Sequence, residues 1–213
     1  MTGGAANAVH RGNDMNQTYG MIFLGLTLAA LATAAGSEAT RRDLEAAYNS
    51  ETNAKLRYEA FAAKAEEEGY PGAAGAFKAL AYSERVHATN HSNALAALGV
   101  RMTETDTKYL VKNTKDNLTA ALKMEKRESV KVYPAYLIHA MADGNEQAST
   151  SFKGALASER THVKLLEKLQ EAGADWKKKL MILVCKTCGY TSEDEDLKTC
   201  PFCSHPREQF ARF

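Results

Sequence analysis

The chain has 213 residues, 45% of them hydrophobic and 25% charged, enough for one sizeable core with a small appended unit. Its formal net charge is +1 with both signs interspersed, which excludes the basic face that a nucleic-acid partner needs. All four cysteines lie between Cys185 and Cys203, so none is left to staple the rest of the molecule.

In chain order, the first feature is the uncharged apolar run "MIFLGLTLAALATAA" (21–35), short for a membrane-spanning helix but right for the apolar part of an export signal. The small residues of "ATAAGSEA" suit a cleavage zone, although the nearest preceding basic residues, His10 and Arg11, lie well upstream. Residues 1–40 are expected to be an export signal or uncleaved anchor, or else a cytoplasmic extension packed on a partner. Membrane contact is expected only through 21–35.

Residues 41–68 are rich in Ala, Glu, Lys and Arg with apolar residues at helical spacing, and predict a first helix stopped by "GYPG" (69–72). A second helix is expected over 73–98. The polar stretch "VRMTETDTKYLVKNTK" (100–115) makes a long crossover, and further helices follow over 116–142 and 145–172, each stopped near a Gly. Two short connections around one long one predict a mainly α, ferritin-like four-helix bundle over 41–173, then a linker over 174–181 and a small unit over 182–213.

"SERVH" (83–87) returns as "SERTH" (158–162), so Glu84 and His87, like Glu159 and His162, share a helix face within reach of one ion. Helices one and three carry Glu51 and Glu125, and the interval from Glu51 to Glu84 is one residue shorter than that from Glu125 to Glu159. The chain therefore resembles a duplicated helix pair. A Glu from each of two helices plus Glu-x-x-His from each of the others is the ligand set of a di-iron carboxylate site, its four negative charges matching two ferrous ions. Burying such carboxylates without metal costs several kcal/mol each, and the alternative is that they face solvent. Glu128, three after Glu125, is a seventh potential ligand.

"CKTCGY" (185–190) and "CPFCSHP" (200–206) form two Cys-x-x-Cys knuckles, so Cys185, Cys188, Cys200 and Cys203 can clamp one ion in a tetrahedral thiolate cage. Zinc and iron both suit that cage.

On "YNSETNAKLRYEAFA" (48–62), the two Glu-x-x-His segments, "EKRESVKVYPAY" (125–136) and the cysteine tail, residues 41–213 resemble the rubrerythrin family, a ferritin-like di-iron bundle followed by a rubredoxin-like domain. The resemblance implies that Glu84 and Glu159 bridge two irons, that Glu51 and Glu125 are terminal carboxylates, and that His162 holds one iron while His87 and Glu128 alternate on the other. It implies that Tyr58 and Tyr133 hydrogen-bond ligands or bound peroxide, and that the four cysteines hold a single iron. Hydrogen peroxide is then reduced to water with electrons from a redox protein or reductase. The alternatives are a ferroxidase that handles iron and a zinc-ribbon adaptor. No role falls to His91, His139 or His205, which are expected at a helix surface or in ordinary hydrogen bonds. With ligands near mid-helix and the cysteine unit beyond the end of helix four, each chain's two centres are expected to lie far apart, which favours a head-to-tail homodimer with transfer between subunits.

Overall fold

The computed structural model describes residues 1–2, 19–103, 109–172 and 176–213, with 19–37 and 172 as backbone only. It divides into two compact units, Met1–Ala35 and Gly36–Phe213. A long helix, α1 (Tyr19–Glu67), begins in the first. The side chains of 21–35, on which the signal or anchor expectation falls, lie outside the described residues. Among the described residues no helix is long and apolar enough to cross a membrane.

The second unit holds the rest of α1 with α2 (Pro71–Ala97), α3 (Thr114–Arg127), α4 (Tyr133–Ala142) and α5 (Glu146–Ala172), then the strands β1 (Leu183–Cys185), β2 (Thr191–Ser192) and β3 (Phe210–Arg212). Pro71 opens α2 two residues before the expected start, because the first helical position needs no N–H and suits proline's fixed φ. Asn113 caps α3, its side chain accepting from the Asp116 N–H at 2.9 Å. The third helix is not continuous as expected over 116–142. A π-helical turn, Glu128–Val132, separates α3 from α4 and inserts one extra residue into the rod. Pro134, which has no N–H to give back to the preceding turn, follows directly and suits the interruption.

Two apolar clusters fill the bundle. One is built on Tyr58, Phe61, Phe77, Leu80, Leu118 and Leu166. The other is built on Leu44, Leu95, Tyr133, Phe152 and Leu156. Three helices pass from one cluster to the other across their acidic residues: α1 between Ala47 and Ala54, α2 between Ala81 and Ala94, and α5 between Leu156 and Leu165. The remaining two divide, α3 packing in the first cluster and α4 in the second. The polar layer is thus sealed above and below by packed hydrocarbon.

The C-terminal sheet is antiparallel in the order β2-β1-β3, with Val184 opposite Thr191 and Cys185 opposite Phe210. Alternation along β1 sends Ile182 and Val184 into the bundle core, while Leu183 and Cys185 join Cys188, Cys200 and Phe210 in a mini-core. The approach to β1 folds back on the bundle. Trp176 meets Tyr70 edge-on, with centroids 5.3 Å apart, and donates through Nε1–H to the Leu169 carbonyl at 2.5 Å. Gly72 admits this segment: a Cβ there would stand 2.2 Å from the Lys178 carbonyl oxygen. The small unit therefore lies along α2 and α5. This corrects the expectation that it hangs far from its own chain's acidic layer, which treated the linker as an extended tether.

Candidate metal centre

The helices bring six of the seven candidate bundle ligands into two overlapping clusters, Glu51, Glu84, His87 and Glu159, and Glu84, Glu125, Glu159 and His162. Within each, the ligating atoms lie within 4.8 Å of one another, and Glu84 and Glu159 belong to both. All six are at most 1% exposed. His87 Nδ1 lies 2.8 Å from Glu84 Oε2 and 3.3 Å from Glu159 Oε1. His162 Nδ1 mirrors it, 3.0 Å from Glu159 Oε2, 3.2 Å from Glu125 Oε2 and 3.3 Å from Glu84 Oε1. On its far side His162 Nε2 lies 3.0 Å from the Ser83 hydroxyl, whose own proton goes to the Gly189 carbonyl at 2.7 Å. Nε2 is thereby the donor, which leaves Nδ1 bare for a metal.

Glu51 Oε2, Glu84 Oε1 and Glu159 Oε1 are buried without a hydrogen-bond partner. An anionic oxygen left so costs several kcal/mol, and a divalent cation between the carboxylates removes that cost. Four carboxylates and two imidazoles are hard and borderline donors that fit a di-iron centre.

Without metal the acids crowd each other. Burial, then the Glu84 and Glu159 charges, pushes Glu51 well above the usual carboxylate range, and burial, then Glu159, raises Glu125 to about 8. Burial opposes charge on His87, but the Glu159 and Glu84 carboxylates outweigh it and raise the imidazole to about 9. Both kinds of shift have one sign. A carboxyl ordinarily at 4.5 or an imidazole at 6.5 that titrates higher when folded adds stability below its ordinary value and loses it as pH rises through the folded value. The melting temperature of the metal-free protein should accordingly fall between about pH 5 and about pH 9, while the iron-loaded protein, its ligands already deprotonated, should stay nearly level. Thermal melts of both forms check this; parallel curves would remove the acids from a common buried site.

Tyr58 donates its hydroxyl proton to Glu125 Oε1, and Tyr133 to Glu51 Oε1, so each half's tyrosine holds the other half's carboxylate. Glu128 is buried but outside both clusters, where it accepts from the Ser50 hydroxyl at 2.8 Å. His91 was expected at a surface or in an ordinary hydrogen bond. It is fully buried, with Nε2 3.1 Å from the Tyr133 hydroxyl and Nδ1 2.7 Å from the Ser151 hydroxyl. Burial, then His87, drives its pKa down to about 3, so it is neutral. Its place four residues after His87 puts it on the same helix face, the signal that could have found it. His139 pairs with Asp43 at the surface and His205 with the Cys203 carbonyl.

The four thiols are free and gathered, with Sγ atoms 3.6 Å apart for Cys185 and Cys203 and 3.5 Å for Cys188 and Cys200. A tetrahedron with metal–sulfur bonds of about 2.3 Å has edges of about 3.8 Å, so the cage fits one ion. The first knuckle closes through the Gly189 N–H to the Cys185 carbonyl at 2.9 Å.

The knuckle rests on the bundle site. Ser83 reaches the Gly189 carbonyl, and Ser158 reaches the Cys188 carbonyl at 3.4 Å, so the serine that opens each Ser-Glu-x-x-His segment holds the same peptide stretch. In the sequence the Glu and His of that repeat carry a ligand spacing, whereas the Ser carries none and shows its role only through these contacts. Gly189, at φ +82°, is needed for contact as well as conformation, since a Cβ would stand 2.3 Å from His87 Nε2.

A four-helix bundle with a buried two-metal carboxylate–histidine layer and a tetrathiolate unit docked on it defines a class of redox metalloprotein. Residues 43–170 match the family model described as rubrerythrin, and 184–211 match that for the rubrerythrin rubredoxin-like domain. The chain is 34% identical to rubrerythrin-2 of Clostridium acetobutylicum, over 80% of its own length and 94% of the relative's. It is 31% identical to nigerythrin of Nitratidesulfovibrio vulgaris, over 85% and 89%. The structure titled fully reduced nigerythrin, all ferrous, superposes with a TM-score of 0.75 at 28% identity, covering 82% of this chain and 86% of that one. This chain belongs to the rubrerythrin family.

Proposed function

We propose that the protein is a di-iron peroxidase that reduces hydrogen peroxide to water with electrons relayed through its tetracysteine iron. The supporting observation is the hydrogen-bonded contact from the carbonyl of Gly189, the residue after Cys188, through Ser83 to His162. A ferroxidase takes its electrons from ferrous iron itself and has no use for a one-electron centre beside its oxidising site. A peroxidase does, because H₂O₂ + 2H⁺ + 2e⁻ → 2H₂O must be refilled.

The bundle irons, when bound, supply an electron pair and open positions for the peroxide oxygens. Glu84 and Glu159, common to both donor clusters, would be shared by the two irons, and Glu51, Glu125, His87 and His162 would each hold one, with Glu128 held in reserve by Ser50. Tyr58 and Tyr133 fix Glu125 and Glu51 through their hydroxyls, and the two apolar clusters exclude bulk water. Ser83 couples the cysteine knuckle to His162 within one chain, so the relay needs no second subunit, and a head-to-tail homodimer is optional for it. The external donor is a redox protein or reductase.

The test is the reduced, iron-loaded protein mixed anaerobically with peroxide and separately with oxygen. Rapid stoichiometric loss of peroxide, little oxygen uptake and no ferric mineral are expected, with the red ferric-thiolate colour returning as the cysteine iron is oxidised. Fast oxygen uptake with mineral growth would establish the ferroxidase instead, and a colourless metal-loaded chain would mark the cage as zinc.

A further inference from the structure

Beside the cysteine knuckle a cleft of about 580 Å³ opens between α2, α5 and the small unit, lined among others by Glu146, Thr150, Ser151, Cys188 and Cys203. Ser151, only 8% exposed, is where this cleft meets the buried polar network of the bundle. From the Ser151 hydroxyl the contacts run 2.7 Å to His91 Nδ1, from His91 Nε2 3.1 Å to the Tyr133 oxygen, and from the Tyr133 hydroxyl to Glu51 Oε1. We infer that Ser151, His91 and Tyr133 form a proton path that carries protons from the cleft to Glu51 at the metal site, with His91 as its inner relay.

The directions of the hydrogen bonds are fixed from one end. Tyr133 gives its proton to the carboxylate, so its oxygen accepts from His91 Nε2–H. Nδ1 is then bare and accepts from Ser151. Every donor in the chain points toward Glu51, and no member carries a net charge. One move balances: an acid in the cleft gives a proton to Ser151, Ser151 gives one to Nδ1, Nε2 gives one to Tyr133, and Tyr133 gives one to Glu51. The acid becomes its conjugate base and one proton has arrived at the site.

Packing does not require this arrangement, because the duplicated half of the bundle does without it. Stepping from Glu84 to Glu159 carries His91 onto Leu166, Ser151 back onto Ala76 and Tyr133 back onto Tyr58. Leu166 and Ala76 are fully buried in the cluster that surrounds Tyr58, whose hydroxyl holds Glu125 just as Tyr133 holds Glu51. The same tyrosine–carboxylate pair is therefore dry on one side and wired to a cleft on the other. A satisfied polar core would have no reason to be so one-sided.

The inference rests on the peroxidase reading only for its demand, two protons per peroxide. In the full-length metal-free chain, NMR exchange with water should be fast for the Tyr133 hydroxyl proton and slow for that of Tyr58. Ser151→Ala and His91→Leu, each copying the residue already present in the other half, should bring Tyr133 down to the Tyr58 rate. In the iron-loaded protein, His91→Leu should keep full iron content yet lower peroxide turnover by about 10²-fold, with a larger solvent deuterium effect. Equal exchange of the two tyrosines, or Tyr133 exchange that neither substitution slows, overturns the path, as does unchanged turnover in His91→Leu. If the parent protein consumes no peroxide, the functional reading falls, and the tyrosine exchange rates still decide the path.

Discussion

Replacing Glu84 and Glu159 together by Gln is expected to empty the bundle of iron while the tetracysteine iron stays in place. These two carboxylates are the members common to both donor clusters, so each cluster loses two of its four ligands at once. Gln keeps the shape, and its amide can donate to a bare imidazole Nδ1 such as that of His162, which preserves the fold. It removes half of the four negative charges that balance two divalent ions. Residues that merely orient metal ligands are worth about 10- to 100-fold in affinity, so losing both shared ligands should weaken bundle binding by well over about 10²-fold. Peroxide turnover should fall to background. Iron content measured against the visible absorption of the ferric tetrathiolate separates the two centres, which share no ligand. A double variant that keeps its bundle iron would falsify the assignment.

A complementation experiment gives the second large effect. One chain lacking Cys185 and Cys188 and another lacking Glu84 and Glu159, co-expressed, each retain one working centre. Ser83, His162 and the Gly189 carbonyl join the centres through hydrogen bonds of 3.0 and 2.7 Å inside one chain. Turnover of the mixture should therefore stay at background although both remaining centres are metallated. Recovery to a substantial share of the parent rate would show that electrons cross between subunits and that the within-chain contact is not the working route.

The bundle and most of its candidate ligands were legible because helical chemistry is periodic: Glu-x-x-His puts two donors on one face, and two copies on two helices are hard to reconcile with surface charge. The cysteine cage was legible from spacing alone. The docking of the cage was not, because Gly72, Gly189, Ser83 and Ser158 act through contacts between segments far apart in the chain. His91 stood on the same face as His87, but that signal gives it no role until the fold brings Tyr133 and Ser151 to its two nitrogens. The π turn left a trace that only the fold explains. Tyr58 lies seven residues after Glu51 and Tyr133 eight after Glu125, whereas the steps from tyrosine to Glu-x-x-His are equal in the two halves. The single surplus residue is the one inserted at Glu128–Val132.

Two identical helix hairpins, associating as separate polypeptides, can build only two identical metal seats. Fusion into one chain lifts that constraint, and the π turn is where it has been lifted here: a one-residue insertion in one hairpin brings Glu128 to Ser50, while the other hairpin keeps an unbroken helix. With His91 and Ser151 also confined to one side, the centre has a front and a back. Two ions held there would be chemically distinguishable neighbours, a polarity that a pair of identical hairpins could not supply.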